Sequence, residues 1–264
     1  MWIDQHLAES PNRALLDVKS KAILDEMLQE ISNLTANGQS SLVIFDIDST
    51  LIDTSHRTAA ICREFARQTS HLAQFRELCQ EIHQWTEWVE VYHPIDFINM
   101  HSGVKIRPHS EEEAYILKFW KDRFFHEDWL VHDLPYAGGK EFVTECLLRG
   151  ADVAYLTGRH RDTNLNGTKK WLATHHFPLR QDSPRTRLML KDHVTTSDVH
   201  YKSSGLAHLK AGYGSSWFIE NEVELILMAL KDHQDVGSIL FDSVHSGRAE
   251  LQDKKPRTIT SWVR

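Results

Sequence analysis

Five short apolar runs, each breaking off into polar residues, constrain this chain more than any other feature. Leu42-Val43-Ile44-Phe45 stops at Asp46-Ile47-Asp48, and Val153-Ala154-Tyr155-Leu156 at Thr157-Gly158-Arg159. Leu188-Met189-Leu190 stops at Lys191, Trp217-Phe218-Ile219 at Glu220-Asn221, and Ser238-Ile239-Leu240-Phe241 at Asp242. Continuous apolar runs of this length are what strands covered on both faces look like. Helical stretches lie between them: Lys140 to Arg149, closed by Gly150, then Thr168 to His175, Lys202 to Lys210 and Glu222 to Lys231. Strands alternating with helices predict the α/β class, with βαβ units in a Rossmann-like, doubly wound parallel sheet. Ligands of such sheets bind beyond the carboxyl ends of the strands, where the polar residues gather here.

One interval breaks the alternation. The 80 residues between Asp53 and Leu134 carry no strand pattern, too long a stretch for a structureless loop. Helical signals fill it: Thr58 to Thr69, Leu72 to Ile82, and Ser110-x-x-Glu113, a capping box ahead of Ile116, Phe119, Trp120 and Phe124 on one face. The predicted organisation is a core of residues 1–53 and 134–264 with a helical cap, residues 54–133, inserted after the first strand. An amphipathic helix over about residues 14–37 precedes the core, with Leu16, Ile23, Leu24, Met27, Leu28, Ile31 and Leu34 at helical spacing. The aromatic residues of the cap, Trp85, Trp88, Tyr92, Trp120 and Trp129, read as core sooner than as a stacking platform. The last dozen residues, with Lys254, Lys255 and Pro256, read as a surface tail.

Composition removes several classes of function. No apolar run approaches the roughly 18 residues of a membrane span, and the opening MWIDQHLAES lacks the basic start and apolar stretch of a secretory leader. Cys62, Cys79 and Cys146 are odd in number and unpaired in spacing, which fits reduced thiols and a cytoplasmic location. A net charge of −7 argues against a nucleic-acid partner, whose phosphates need neutralising by Lys and Arg. The 17 histidines are scattered, with no HExxH or paired Cys/His spacing.

Two carboxylates at i and i+2 after a buried strand repel one another and resist burial. A hard divalent cation relieves both effects, and Mg²⁺ prefers oxygen ligands while keeping waters that a phosphate can replace. In a sharply turning loop Asp46 and Asp48 point to one side. Asp46 can then attack phosphorus while Asp48 protonates the leaving oxygen and later deprotonates the hydrolytic water.

Phe45-Asp46-Ile47-Asp48-Ser49-Thr50-Leu51 resembles the first motif, hhhDxDx[TV]L, of the haloacid dehalogenase-like superfamily. Leu156-Thr157-Gly158-Arg159 resembles its second motif, Lys202 its third, and Glu220-Asn221 with Glu224 its acidic fourth, in the family's order from Ser41 to Phe241. The resemblance places the helical insertion at the family's C1 cap position. It implies that Thr157 and the Gly158 N–H hold phosphate oxygens, that Lys202 offsets negative charge, and that Asp46, the Asp48 carbonyl and the fourth motif hold Mg²⁺. Glu220-Asn221 departs from the usual Asp-Asp or Gly-Asp, so the direct ligand is Asn221, Glu220 or both. Lys191 is the alternative third-motif lysine. Arg159 either contacts substrate or pairs with an acid, and His56 and Arg57, at the entrance to the cap, could reach a leaving group or face solvent.

An acid at position 48 points to a phosphate ester and away from a dehalogenase, since a halide leaves without protonation. The expectation is a Mg²⁺-dependent phosphomonoesterase acting on a small soluble phosphate ester. The alternatives are a phosphomutase sharing the aspartyl-phosphate, or a binding protein that has lost efficient catalysis.

Overall fold

The computed structural model describes residues 11–179, 184–192, 195–251 and 253–264; the opening ten residues lie outside that set. By internal packing the chain divides into two units. The first takes the described residues through Ile52, together with Pro135–Asp162 and Leu172–Arg264, and the second takes Asp53–Leu134 and Thr163–Trp171.

The first unit is built on a six-stranded parallel sheet: β1 (Ser41–Phe45), β4 (Asp152–His160), β5 (Thr186–Lys191), β6 (Ser215–Glu220), β7 (Val236–Phe241) and β8 (Arg257–Ile259). The spatial order is β5-β4-β1-β6-β7-β8, so the chain winds outward from β1 on one side, returns, and winds outward on the other. Two short strands, β2 (Ile52–Asp53) and β3 (Leu134–Pro135), pair separately where the chain leaves and re-enters this unit. Every residue of β1 is buried, as a continuous apolar run at the centre of a covered sheet requires.

Alternate side chains of β1 face different helices. Leu42 and Ile44 join Leu206 and Leu209 of α8 (Asp198–Lys210) and Ile226 of α9 (Val223–Asp232) in one apolar cluster. On the opposite side Phe45 meets Phe142 of α6 (Gly139–Leu148), ring centroids 6.3 Å apart. The helix α1 (Pro11–Ala36) packs against β1, α6 and β8, with Leu24, Met27, Leu28 and Ile31 buried. Gly150 closes α6 at φ +107°, where a Cβ would stand 2.3 Å from the Thr35 hydroxyl of α1; only glycine fits that C-terminal turn.

The C-terminal residues are not a surface tail. Arg257–Ile259 add an edge strand beside β7, and Trp262 is fully buried, stacked on Phe241 at 5.2 Å and against Phe45 and Phe142. Its indole N–H donates to the Thr50 carbonyl at 2.8 Å. The segment is held because an aromatic ring of this size stabilises the core more than its ordering costs. Trp262→Phe should keep most of the packing but leave the buried carbonyl without its donor. We expect a loss of about 1–3 kcal/mol, read as a lower urea midpoint; an unchanged midpoint would mean that water replaces the indole.

The second unit is helical: α2 (Ser55–Thr69), α3 (Arg76–Gln84), α4 (Pro94–His101) and α5 (Glu111–Phe124). Phe65, Phe75, Leu78, Ile82, Ile98 and Ile116 form its core. Ser110 caps α5 by accepting from the Glu113 N–H at 3.1 Å. The Glu113 carboxylate takes the N–H of His109, one residue upstream of the Ser110 amide that a capping box uses. Trp85 and Trp88 pack on Phe97, and Trp120 is buried beside Phe124. The middle of α7 (Arg161–Thr174) also belongs to this unit. That helix starts seven residues before the position expected from its apolar pattern. Its Asn164 donates to the Phe125 carbonyl, the Gly167 N–H to Glu127, and the Trp171 indole to the Asp133 carbonyl. No described helix is long and apolar enough to cross a membrane, and Cys62, Cys79 and Cys146 are buried free thiols.

Candidate active site

The strand order reverses at β1 and β6, and the polar residues that follow them lie side by side. The Asp46 N–H extends the ladder to the Ile219 carbonyl at 3.0 Å, which sets the Asp46 side chain next to Glu220. After Asp46 the chain turns tightly. The Ile47 carbonyl accepts from the N–H groups of Thr50, Leu51 and Ile52, and the Ser49 N–H returns to the Ile52 carbonyl. Ser49 takes φ +57°, a conformation that costs a non-glycine residue about 1–3 kcal/mol and tends to persist where function keeps it.

Lys202 occupies the centre of the cluster. It lies in the second turn of α8, whose N-cap Ser197 accepts from the His200 N–H. Gly205, one turn on, would place a Cβ 2.8 Å from Leu156 of β4, so its missing side chain lets α8 approach the sheet. The buried ammonium uses all three donors: Asp46 Oδ1 at 2.5 Å, Glu220 Oε2 at 2.8 Å and the Leu156 carbonyl at 2.6 Å. Burial works against its charge, but Asp46 and Glu220 outweigh that and raise its pKa. Lys191, the other candidate, pairs with Asp198 at 2.7 Å.

Burial, and next the Glu220 charge, raise the Asp46 carboxyl to about 7 despite the opposing pull of Lys202. Glu220 is also pushed up, mainly by burial, and its Oε1 accepts the N–H groups of Asn221 and Glu222. With Oε2 on Lys202, Glu220 already takes three hydrogen bonds and reads as the partner of the lysine. Asn221 accepts from the Thr50 hydroxyl at 3.1 Å and donates to the Val244 carbonyl at 2.5 Å. The 242–248 loop thus serves as a scaffold: Ser243 donates to the Ser49 carbonyl, and Ser246 gives both its N–H and its hydroxyl to Glu222.

β4 breaks register with β5 between Thr157 and His160, and such irregularities re-aim side chains. Here the Arg159 N–H turns back onto the Thr157 hydroxyl at 3.2 Å, while the buried Arg159 guanidinium grips Asp48 through Nε at 2.7 Å and Nη2 at 2.8 Å. Asp198 approaches Gly158 so closely that a Cβ there would lie 3.2 Å from its carboxylate.

Two residues expected near the substrate sit in the second unit. His56 is exposed on α2. Arg57 is buried and held by Asp133 through two hydrogen bonds of 2.6 and 2.5 Å, with a third to the Phe124 carbonyl. These partners give Arg57 a structural role inside that unit. No local pattern signals it, since Asp133 is 76 residues away.

The donor set suits a hard cation. Asp46 and Glu220 are two carboxyl groups sharing the single charge of Lys202, and burial first, then the Glu220 charge, raise the Asp46 pKa. Asp46, the Asp48 carbonyl and Asn221 offer oxygen only. No group of three or more His, Cys, Asp or Glu side chains with metal-ligand geometry occurs among the described residues. A site built here therefore relies on a main-chain carbonyl and a neutral amide.

No family model and no curated protein sequence matches the chain. Solved structures do. A structure described as a predicted phosphatase from Clostridium acetobutylicum is 15% identical over 84% of this chain and 94% of its own, with a TM-score of 0.50. A haloacid dehalogenase-like family hydrolase from Streptococcus pneumoniae is 14% identical over 83% and 93%, TM-score 0.49. Protein tyrosine kinase A of Mycobacterium tuberculosis is 13% identical over 84% and 94%, TM-score 0.51. At such identities what is shared is the fold, an α/β Rossmann-like one. The presence of a protein named as a kinase among the neighbours shows that the reaction has to be argued from the site.

Proposed function

We propose that the chain is a Mg²⁺-dependent phosphomonoesterase of the haloacid dehalogenase-like type, working through a phosphoryl group carried on Asp46. The observation that carries this is the buried Asp46–Lys202–Glu220 cluster at the strand-order reversal, with Asp48 two residues along the same turn. Asp46 would attack phosphorus in line. Lys202 keeps the nucleophile oriented and offsets charge that builds on the phosphoryl oxygens. The Thr157 hydroxyl and the Gly158 N–H would receive those oxygens, and Asp48 would give a proton to the departing alkoxide and later take one from water. A bound Mg²⁺, held by Asp46, the Asp48 carbonyl and Asn221, supplies the positive charge that this cluster lacks and lets Asp46 remain ionised. Unaided hydrolysis of phosphate monoesters is among the slowest of biological reactions, with enhancements up to about 10²¹-fold, so each positive group has a role to fill.

The helical insertion after the first motif supports a small soluble ester as substrate. The test is phosphate release from a panel of phosphorylated metabolites with Mg²⁺. Selective release supports the proposal; turnover of a phosphosugar with no free phosphate would favour a mutase. Silence on every substrate would leave the catalytically weak binding protein, which the neutral Asn221 favours. That residue makes its own prediction. Asn221→Asp should tighten Mg²⁺ binding about fivefold or more, since one added charge at contact distance is worth ~1–4 kcal/mol. Calorimetric titration reads this directly, and unchanged affinity would remove Asn221 from the ligand set.

A further inference from the structure

Arg159 follows Thr157 and Gly158 directly, which invites its assignment to the substrate phosphate. Its guanidinium is engaged otherwise. Nε and Nη2 form a two-pronged clamp on Asp48, at 2.7 and 2.8 Å, one prong on each carboxylate oxygen. Paired N–H donors facing a carboxylate in this way fix the plane of the carboxyl group as well as its position. The arginine is buried, whereas Asp48 is 29% exposed, so the acid, and not the cation, is the member of the pair open to an incoming molecule. The arginine is itself fixed by its backbone, because the β4 irregularity turns its N–H onto the Thr157 hydroxyl. One irregular segment thereby sets both the Thr157 hydroxyl and the orientation of Asp48.

Building on the phosphatase reading, we propose that Arg159 is a positioning residue: it aims the Asp48 carboxyl at the leaving-group oxygen and acts on the rate only through Asp48. In the step concerned, the bond from phosphorus to the leaving oxygen breaks as the bond from Asp46 to phosphorus forms. The proton on Asp48 passes to the departing oxygen, and Asp48 is left as the carboxylate that Arg159 holds.

The consequence is a dependence on leaving group. An activated aryl oxide departs without a proton and gains little from a general acid, whereas an alkoxide needs one. In a mechanism with a covalent intermediate, kcat/KM reports events up to release of the first product, which isolates the acid step. The experiment measures kcat/KM for wild type, Arg159→Gln, Asp48→Asn and the double variant on aryl and alkyl phosphates of increasing leaving-group basicity, with Mg²⁺. We expect Arg159→Gln to lose under about threefold on the most activated ester and about 10²-fold on the alkyl ester, the lower end of what a positioned acid contributes. In the Asp48→Asn background the same substitution should change nothing, because residues acting as a unit are not additive. Arg159→Lys keeps the charge but loses the clamp and should fall between wild type and Arg159→Gln; it also serves if the glutamine variant fails to fold. A loss equal for all leaving groups, or one that persists without Asp48, would overturn the proposal and return Arg159 to the phosphate. If wild type hydrolysed no ester at all, the phosphatase reading would fail, and with it the role of Arg159, a result distinct from hydrolysis with a uniform loss.

Discussion

Lys202→Met is expected to destabilise the fold by about 3–5 kcal/mol, the usual consequence of removing one partner from a buried ion pair. The effect comes from what the substitution leaves behind. Asp46 and Glu220 are both buried, both lean on the same ammonium, and the Leu156 carbonyl also loses its donor. The two carboxyl groups can escape by taking up protons, so the loss should be smaller at low pH, where burial no longer traps charge. Lys191→Met provides the comparison. Its partner Asp198 is 46% exposed and can return to water, so the expected loss is under about 1 kcal/mol. Urea unfolding of both variants at pH 8 checks this, and equal midpoints would refute the central place given to Lys202.

Asp46→Asn should abolish phosphate release, by about 10⁴-fold or more on the scale of other deleted covalent nucleophiles, and yet make the metal-free protein more stable. A carboxyl raised from 3.8 to about 7 binds its proton more tightly folded than unfolded. Its stabilising contribution is complete below pH 4 and is lost as the pH rises through 7. At pH 8 the ionised Asp46 therefore opposes folding, and an amide of the same shape does not. An increase of about 2–4 °C in Tm corresponds to ~1 kcal/mol in a chain of this size. The difference between variant and wild type should narrow as the pH is lowered and vanish near pH 4. A variant less stable than wild type at pH 8 would mean that the Lys202 contact outweighs the burial of the charge.

The parts of the fold that could be read from the sequence are those where a local pattern and the tertiary environment agree. Leu42–Phe45 and Trp217–Ile219 are apolar throughout because both faces of the sheet are covered there, and they form the two central strands. The edge strand β8 carries no such pattern, because Arg257-Thr258-Ile259 is short and mostly polar. The buried role of Trp262 lies in contacts with residues more than 100 positions away in most cases, Thr50 among them. In α7, Asn164 and Gly167 in the first turns weaken the helical pattern, and these turns are held instead by the Asn164 side chain and the Gly167 N–H, which find partners in the second unit.

The same division runs through the candidate site. The strand ends placed Asp46, Thr157 and Glu220 on one edge of the sheet, α8 brings Lys202 there, and hydrogen bonds join Lys202 to Asp46 and Glu220. Proximity in sequence was a poor guide for the arginines. Arg57 follows the first motif yet is bound to Asp133, and Arg159 adjoins Thr157 and Gly158 yet clamps Asp48. An arginine takes its role from whichever carboxylate the fold brings within its reach, and no local pattern records that. Between Glu220 and Asn221 the sequence left the ligand open. The three hydrogen bonds already made by Glu220 favour Asn221.

The central claim is that Asp46 carries the phosphoryl group. Acid quenching of Asp48→Asn during turnover of an activated phosphate ester, followed by proteolysis and mass spectrometry, tests it most directly. That variant can form the intermediate from a good leaving group but lacks the base that hydrolyses it. The account predicts a phosphorylated peptide containing Asp46, absent when Asp46 is also replaced by Asn. Phosphate released by wild type, with no phosphoryl group recovered on Asp46 in the quenched variant, would contradict it.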